Sequence, residues 1–334
     1  MLIVLLFELP AKYKNMQITF LQASYGDAIH IEHGGHHVII DGGNKCEELE
    51  SVVKDIIDSH EVIDLLIITH YDEDHILGIY KILQKLSNDI SLKDLVHEVW
   101  FNATKLGFDG NEYALSSNQA VSMSKLLIKN NVNWVSSLKK KKIFKIDEDV
   151  CLEVLYGGDV YEPNAEDNFM GTTGCDWDSS FKELESYVDD DVLDESPTNK
   201  QSIILVLHDG ERQILLPGDA TPDKLNLAID EYLANGHSKV FDLIKLPHHG
   251  SYRNVTEQIL KSIICNDYVV CTNGKRYCHP DKKMLLKLSK WGQVKDGDKL
   301  HVHLNYYEDL FPKLNISEQD MQTYKFDCDG QRVF

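Results

Sequence analysis

The stretch Thr69-His70-Tyr71-Asp72-Glu73-Asp74-His75 lies between two runs of different periodicity. Before it, Val62-Ile63-Asp64-Leu65-Leu66-Ile67-Ile68 is short, apolar and β-branched, the composition of a buried strand. After it, Ile76-Leu77-Gly78-Ile79-Tyr80-Lys81-Ile82-Leu83 is apolar at helical spacing. Two imidazoles and several carboxylates therefore occupy the turn that leaves a core strand and enters a helix. If the chain stays extended there, positions 70, 72 and 74 point to one side. Carboxylates crowded in this way cannot all ionise without cost, and one or two divalent cations remove the conflict.

Further along, other apolar runs end the same way. Residues 213–216 lead into Pro217-Gly218-Asp219, and 240–246 into Pro247-His248-His249-Gly250-Ser251; 267–272 precedes Cys278-His279-Pro280. In layered α/β proteins the carboxyl ends of strands line one edge, so residues distant in sequence meet there. Residues 202–208 and 213–216 read as a hairpin about Asp209-Gly210, which puts Asn199 and Ser202 beside Asp219 and leaves His208 at the far end. The set that converges is His70, Asp72, Asp74, His75, Asp219 and His248 or His249, with His279 close by. Imidazole and carboxylate without thiolate suit Zn²⁺ or Mn²⁺ in an open, catalytic site. Asp219 is the candidate bridge between two such ions, although a single ion is also compatible.

The rest of the chain sets bounds. Its 334 residues carry a formal net charge of −20, with 43% hydrophobic and 26% charged residues, an ordinary globular composition. That charge disfavours general attraction to nucleic acid or anionic membrane. The seven cysteines are scattered without a C-x-x-C pair, which fits a reducing, cytoplasmic setting. Leu2-Ile3-Val4-Leu5-Leu6-Phe7 is too short to span a bilayer, so residues 1–15 are expected to form an extension before a single domain over 16–334. Three short strands should follow from Met16, separated by Gly-bearing turns. His30, His33, His36 and His37 read as hairpin residues, and Asp41 as a turn former before Gly42-Gly43. Residues 159–195 are acidic and irregular and are expected to be a surface insertion.

Thr-His-Tyr-Asp-Glu-Asp-His-Ile-Leu-Gly (69–78), Leu-Leu-Pro-Gly-Asp-Ala (215–220) and Leu-Pro-His-His-Gly-Ser (246–251) resemble motifs of the metallo-β-lactamase-fold hydrolases. The resemblance is greatest to the branch related to the C-terminal domain of the DNA-uptake channel ComEC. Tyr25-Gly26-Asp27-Ala28, Ile40-Asp41-Gly42-Gly43, Asn199-Lys200-Gln201-Ser202 and Cys278-His279-Pro280 also have counterparts there. The likeness implies a four-layer αββα sandwich of the α/β class, with the active site along one edge of two sheets. It also implies a stand-alone, metal-dependent hydrolase, in this branch a phosphodiesterase or nuclease. Two departures stand out. Position 72 is Asp where the wider superfamily has His, and the usual histidine before Gly-Asp is missing, with Asn199 and Ser202 in its neighbourhood. Both make one metal site harder and bring Mn²⁺ level with Zn²⁺.

The expected chemistry is attack of a metal-bound hydroxide on a phosphodiester. Asp74, His75 and His248 would hold one ion and His70 and Asp72 the other, with Asp219 between them. Asp74, His249 and His279 are the expected catalytic groups, His249 or His279 facing the scissile phosphate. Asn199, Ser202, Lys275 and Arg276 are the expected substrate-binding residues. The substrate would be nucleic acid or a nucleotide-sized or cyclic phosphodiester. A lactone or thioester hydrolase, or a noncatalytic subunit bound to a partner protein, are the alternatives.

Overall fold

The computed structural model describes residues 16–103, 115–158, 174–189, 192–295 and 298–334. The expected N-terminal extension over 1–15 lies outside the described residues. The chain opens with β1 (Gln17–Phe20), β2 (Ile29–His33) and β3 (His36–Ile40), followed by α1 (Glu47–Asp58), β4 (Ile63–Ile68) and α2 (Glu73–Leu86). Next come α3 (Leu92–Leu95), β5 (Val96–Phe101), α4 (Leu115–Lys129), β6 (Trp134–Val135), β7 (Ile143–Lys145), β8 (Val150–Tyr156) and α5 (Phe181–Leu184). The second half runs β9 (Ile204–Asp209), β10 (Arg212–Leu216), α6 (Pro222–Ala234), β11 (Leu243–Lys245), α7 (Glu257–Ser262), β12 (Asp267–Val270) and α8 (Lys282–Trp291). It closes with β13 (Leu300–Leu304), α9 (Tyr307–Leu310), α10 (Glu318–Tyr324) and β14 (Phe326–Asp329).

Two sheets form, in the orders β1-β2-β3-β4-β5-β6 and β14-β13-β12-β11-β10-β9-β8-β7. Pairing is parallel from β3 to β6 and from β10 to β14 and antiparallel elsewhere, including β8 with β9, which are joined across α5. Alternation along each strand explains the layering. In β4, Leu65 and Ile67 face a core shared with Leu205, Leu207, Ile214 and Leu216 of the other sheet. Leu66 and Ile68 face outwards onto Leu49, Val53, Ile76 and Ile79 of α1 and α2. The second sheet turns Val206, Leu215, Ile244 and Tyr268 towards α6, α7 and α8. The result is the expected αββα sandwich, with both faces of the parallel strands buried. Among the described residues, no helix is long and apolar enough to cross a membrane.

The acidic stretch departs from expectation. Trp177, Phe181, Leu184 and Val188 are buried in the outer core of the second sheet. Phe181 and Leu184 come from the short α5, Trp177 from the turn before it and Val188 from just after the following turn, and the surrounding acidic residues conceal the set in the sequence. Ser180 and Glu183 form a capping box at α5. Asp176 accepts hydrogen bonds from the Lys282 and Lys283 amides, satisfying free donors at the start of α8. Residues 174–189 are thus a packed part of the domain and not a surface appendage. The first part of the expected insertion, 159–173, lies outside the described residues.

Candidate metal centre

β4 delivers His70 at its carboxyl end, and α2 starts immediately afterwards, placing Asp74 and His75 in its first turn. A direct backbone approach fixes that turn: a Cβ on Gly26 would lie 1.7 Å from the Asp74 carbonyl oxygen, so only glycine fits. On the other sheet, the hairpin register pairs Leu205 with Leu216, which brings Ser202 to Asp219, whose amide donates to Ser202 Oγ at 3.2 Å. His248 and His249 follow β11 with φ values of 48° and 55°, a left-handed turn that points successive imidazoles in different directions.

Three imidazoles converge. His75 Nδ1 donates to Asp41 Oδ2 at 2.8 Å, and Asp41 also accepts from the Thr69 amide and hydroxyl. His249 Nδ1 lies 3.1 Å from Asp27 Oδ1 and 2.9 Å from the Cys271 carbonyl oxygen. His70 Nδ1 faces Thr69 Oγ1 at 3.1 Å and Ser202 Oγ at 3.3 Å. With every Nδ1 engaged, each ring turns Nε2 inwards, and Nε2 of His70, His75 and His249 is buried without a hydrogen-bond partner. Facing them is Asp219 Oδ2, 3.2 Å from His75 Nε2 and 3.3 Å from His249 Nε2, while Asp74 Oδ2 lies 3.3 Å from His249 Nε2. Ligand atoms of His70, His75 and Asp219 lie within 4.8 Å of one another, as do those of Asp74, His75 and His249. Buried imidazole lone pairs aimed at carboxylates, each ring anchored through its other nitrogen, are what a divalent cation requires.

The electrostatics agree. Burial opposes charge at Asp219, yet His249, His75 and Lys245 together hold its carboxyl well below the usual range. Burial likewise opposes protonation of His75 and His249, and the adjacent carboxylates, Asp219 foremost, push both imidazoles upwards. This pocket stabilises added positive charge, which a bound cation would supply directly. Lys245 is wholly buried and forms an ion pair with Asp27. Its Nζ also donates to the Gly218 carbonyl oxygen and lies 3.4 Å from Asp219 Oδ1, so Asp219 is held on one oxygen and open on the other.

The expected residues are distributed unevenly around this cluster. Asp72 lies at its rim, with Oδ2 3.6 Å from His70 Nε2 and accepting from Thr198 Oγ1 at 3.0 Å. The sequence leaves the ligand position open between His248 and His249, and the expected mechanism uses His248; in the structure His249 Nε2 is the nearer to Asp74 and Asp219, at 3.3 Å from each. His248 is partly exposed, its Nε2 3.8 Å from Asp219 Oδ2 and its Nδ1 3.3 Å from Asp194 Oδ2 and 3.1 Å from Asn254 Oδ1. The left-handed backbone at both positions exchanges them, a feature residue types do not encode. Asn199 and Ser202, expected to contact substrate, are buried and committed to protein partners: Asn199 donates to Asp194 at 2.7 Å and Ser202 serves Asp219 and His70. His279 is buried one ring further out, its centroid 5.3 Å from that of His248. Arg276 is part-exposed beside Tyr25 and Tyr277, and the Lys275 amide donates to Asn273 Oδ1.

Sequence reasoning missed the supporting groups Asp27, Lys245, Asp194 and Asn254, and took Asp41 for a turn residue. Asp41 was recoverable, because the parallel pairing of β3 with β4 sets strand end beside strand end. Asp27 and His249 are 222 positions apart, and nothing local links them.

Among known proteins, residues 22–275 match the profile of the Metallo-beta-lactamase superfamily. Similar solved structures include the metallo-beta-lactamase fold protein YhfI from Bacillus subtilis, at 10% identity and TM-score 0.43, covering 96% of this chain and 100% of that one. The metallo hydrolase Igni18 from Ignicoccus hospitalis follows at 13% identity and TM-score 0.41, covering 96% and 98%. The short form of human tRNase Z is 12% identical with TM-score 0.40, again covering 96% and 98%. No curated protein matched the sequence. With that profile spanning most of its length, the chain belongs to the metallo-β-lactamase superfamily.

Proposed function

We propose that the protein is a metal-dependent hydrolase of phosphodiesters whose two cation subsites share Asp219. The observation that carries this reading is the trio of buried, unpartnered Nε2 atoms on His70, His75 and His249, facing Asp219 and Asp74. His70, Asp72 and Asp219 would hold one ion, and Asp74, His75, His249 and Asp219 the other. Zn²⁺ and Mn²⁺ both suit this donor set. When bound, such ions act as Lewis acids and lower the pKa of a coordinated water towards neutrality.

The remaining steps belong to the chain. Asp41 and Asp27 fix the tautomers of His75 and His249, keeping Nε2 available. Lys245 holds Asp219 in place from behind. His248 lies at the rim, its Nδ1 anchored by Asp194 and its Nε2 3.8 Å from Asp219 Oδ2, from where it would pass a proton to the departing alkoxide. Asp194 stays ionised beside it, since the His248 contact and the Asn199 donor outweigh the resistance of burial to its charge. His279 packs against the His248 ring edge-on. Arg276 and Lys275, on the loop before His279, supply positive charge beside an otherwise acidic site, which favours a phosphate over a neutral lactone or thioester. The net charge of −20 favours a nucleotide-sized substrate or a short single strand over a long duplex.

The test is hydrolysis of bis-p-nitrophenyl phosphate, short single-stranded DNA and RNA, a lactone and a thioester, each with Zn²⁺ or Mn²⁺. The reading predicts phosphodiester turnover that falls by at least about 10³-fold in Asp74→Asn, with circular dichroism and melting unchanged. Turnover confined to the lactone or thioester would contradict the substrate class. An inert protein that binds neither ion would contradict the enzyme reading itself.

A further inference from the structure

Beside the cluster, three side chains from two distant segments stack. The Arg276 guanidinium lies over the Tyr25 ring at 5.1 Å and over the Tyr277 ring at 4.9 Å. Its Nη1 donates to the Tyr25 hydroxyl at 3.1 Å and lies 3.7 Å from Glu73 Oε2. Tyr25 belongs to the tight turn whose glycine abuts Asp74, and Glu73 precedes Asp74, so the stack is built onto the metal-facing segment. On its other side, the Tyr277 ring lies 6.3 Å from that of His279, which adjoins His248. A line of rings therefore runs from the rim to the imidazoles at the centre.

Tyr277 is 46% exposed, a large aromatic group left open at the edge of the site. Its φ of 65° is an unfavourable conformation for a bulky residue, and its ring lies exposed beside Arg276. Arg276 carries five N–H donors; its Nη1 meets the Tyr25 hydroxyl and, at 3.7 Å, Glu73 Oε2, and the donors on its other nitrogens remain for a ligand. The exposed part of the Tyr277 ring, which the guanidinium does not cover, beside a fixed guanidinium matches a heterocyclic base joined to a phosphate: the base stacks on the open part of the ring and the guanidinium meets the phosphate oxygens.

Building on the phosphodiesterase reading, we infer that Tyr277 and Arg276 form a base-stacking subsite that makes the enzyme selective for nucleotide phosphodiesters over phosphodiesters lacking a base. Tyr25 fixes the orientation of Arg276. Stacking of this kind is tolerant of base identity, so selectivity for a base should exceed selectivity among bases.

The experiment compares two substrates with one leaving group: thymidine 5′-monophosphate p-nitrophenyl ester and methyl p-nitrophenyl phosphate, with saturating Mn²⁺. The inference predicts a KM about tenfold lower for the thymidine ester in the wild type. In Tyr277→Ala that advantage disappears through KM, while kcat and the methyl ester kinetics stay within about twofold; Tyr277→Phe keeps the advantage. Equal KM values for both esters in the wild type would overturn the subsite and leave the phosphodiesterase reading standing. An equal loss on both esters in Tyr277→Ala, with normal melting, would also overturn it, assigning Tyr277 a general role. Failure to hydrolyse either ester would count against the phosphodiesterase reading.

Discussion

At the scale of single residues, the decisive distinction is between His249 and His248. Adjacent in sequence, they face different partners because both adopt left-handed backbone angles. His249 turns Nε2 onto Asp74 and Asp219, whereas His248 pairs with Asp194 at the rim. The two substitutions should therefore separate. His249→Ala should weaken metal affinity by at least about 100-fold, measured by competition with a chromogenic chelator. His248→Ala should keep its metal and lose about 10²–10⁴-fold in kcat on substrates with a poor alkoxide leaving group, and much less on p-nitrophenyl esters. The reverse pattern would return the ligand role to His248. The histidine pair was legible in the sequence as metal-site chemistry, but its division of labour was not, because backbone angles decide it. Asp194 was hidden for another reason: it lies in an acidic run where no single carboxylate stands out.

At the scale of elements, close backbone contact sets the site. A Cβ on Gly78 would lie 1.9 Å from the Gly42 carbonyl oxygen, so α2 rests directly on the loop after β3. Gly78→Ala should cost about 1–3 kcal/mol in urea unfolding and shift His75 away from Asp41. An unchanged midpoint would mean that the helix has room to move. A second element-scale device lies in the parallel sheet, where His303 of β13 bridges Asp267 of β12 at 2.9 Å and the Asp329 carboxylate of β14 at 2.6 Å. Burial alone would lower its pKa, but hydrogen bonds to both carboxylates outweigh burial and raise it. A raised folded-state pKa gives stability that is complete below the ordinary histidine value near 6.5 and fades as pH climbs through the raised one. The stability gap between wild type and His303→Gln should accordingly be larger at pH 6 than at pH 9. A gap independent of pH would remove the charged bridge. Most elements were readable from periodicity, because apolar strands and amphipathic helices alternate along the chain. The set from Trp177 to Val188 was not, since charged neighbours dilute it.

At the scale of the whole molecule, neither sheet contains the site. The first sheet and its helix bring His70, Asp74, His75 and the anchor Asp41; the second brings Asp219, His249 and Lys245. Burial of the apolar faces between the sheets fixes the meeting of these two edges, and the unpartnered Nε2 atoms lie where they meet. The strand ends were visible in the sequence as places where apolar runs give way to His and Asp. Which edge faced which was not, for it depends on pairings such as Asp27 with His249 that no local pattern carries. Whether the two edges share a cation is decided by anomalous diffraction at the metal edge from crystals grown with Mn²⁺ or Zn²⁺. An anomalous peak is expected about 2.0–2.3 Å from Nε2 of both His75 and His249 and from carboxylate oxygens of Asp74 and Asp219. Crystals that bind the ion only elsewhere on the protein, with those four side chains unliganded at saturating metal, would contradict a shared centre.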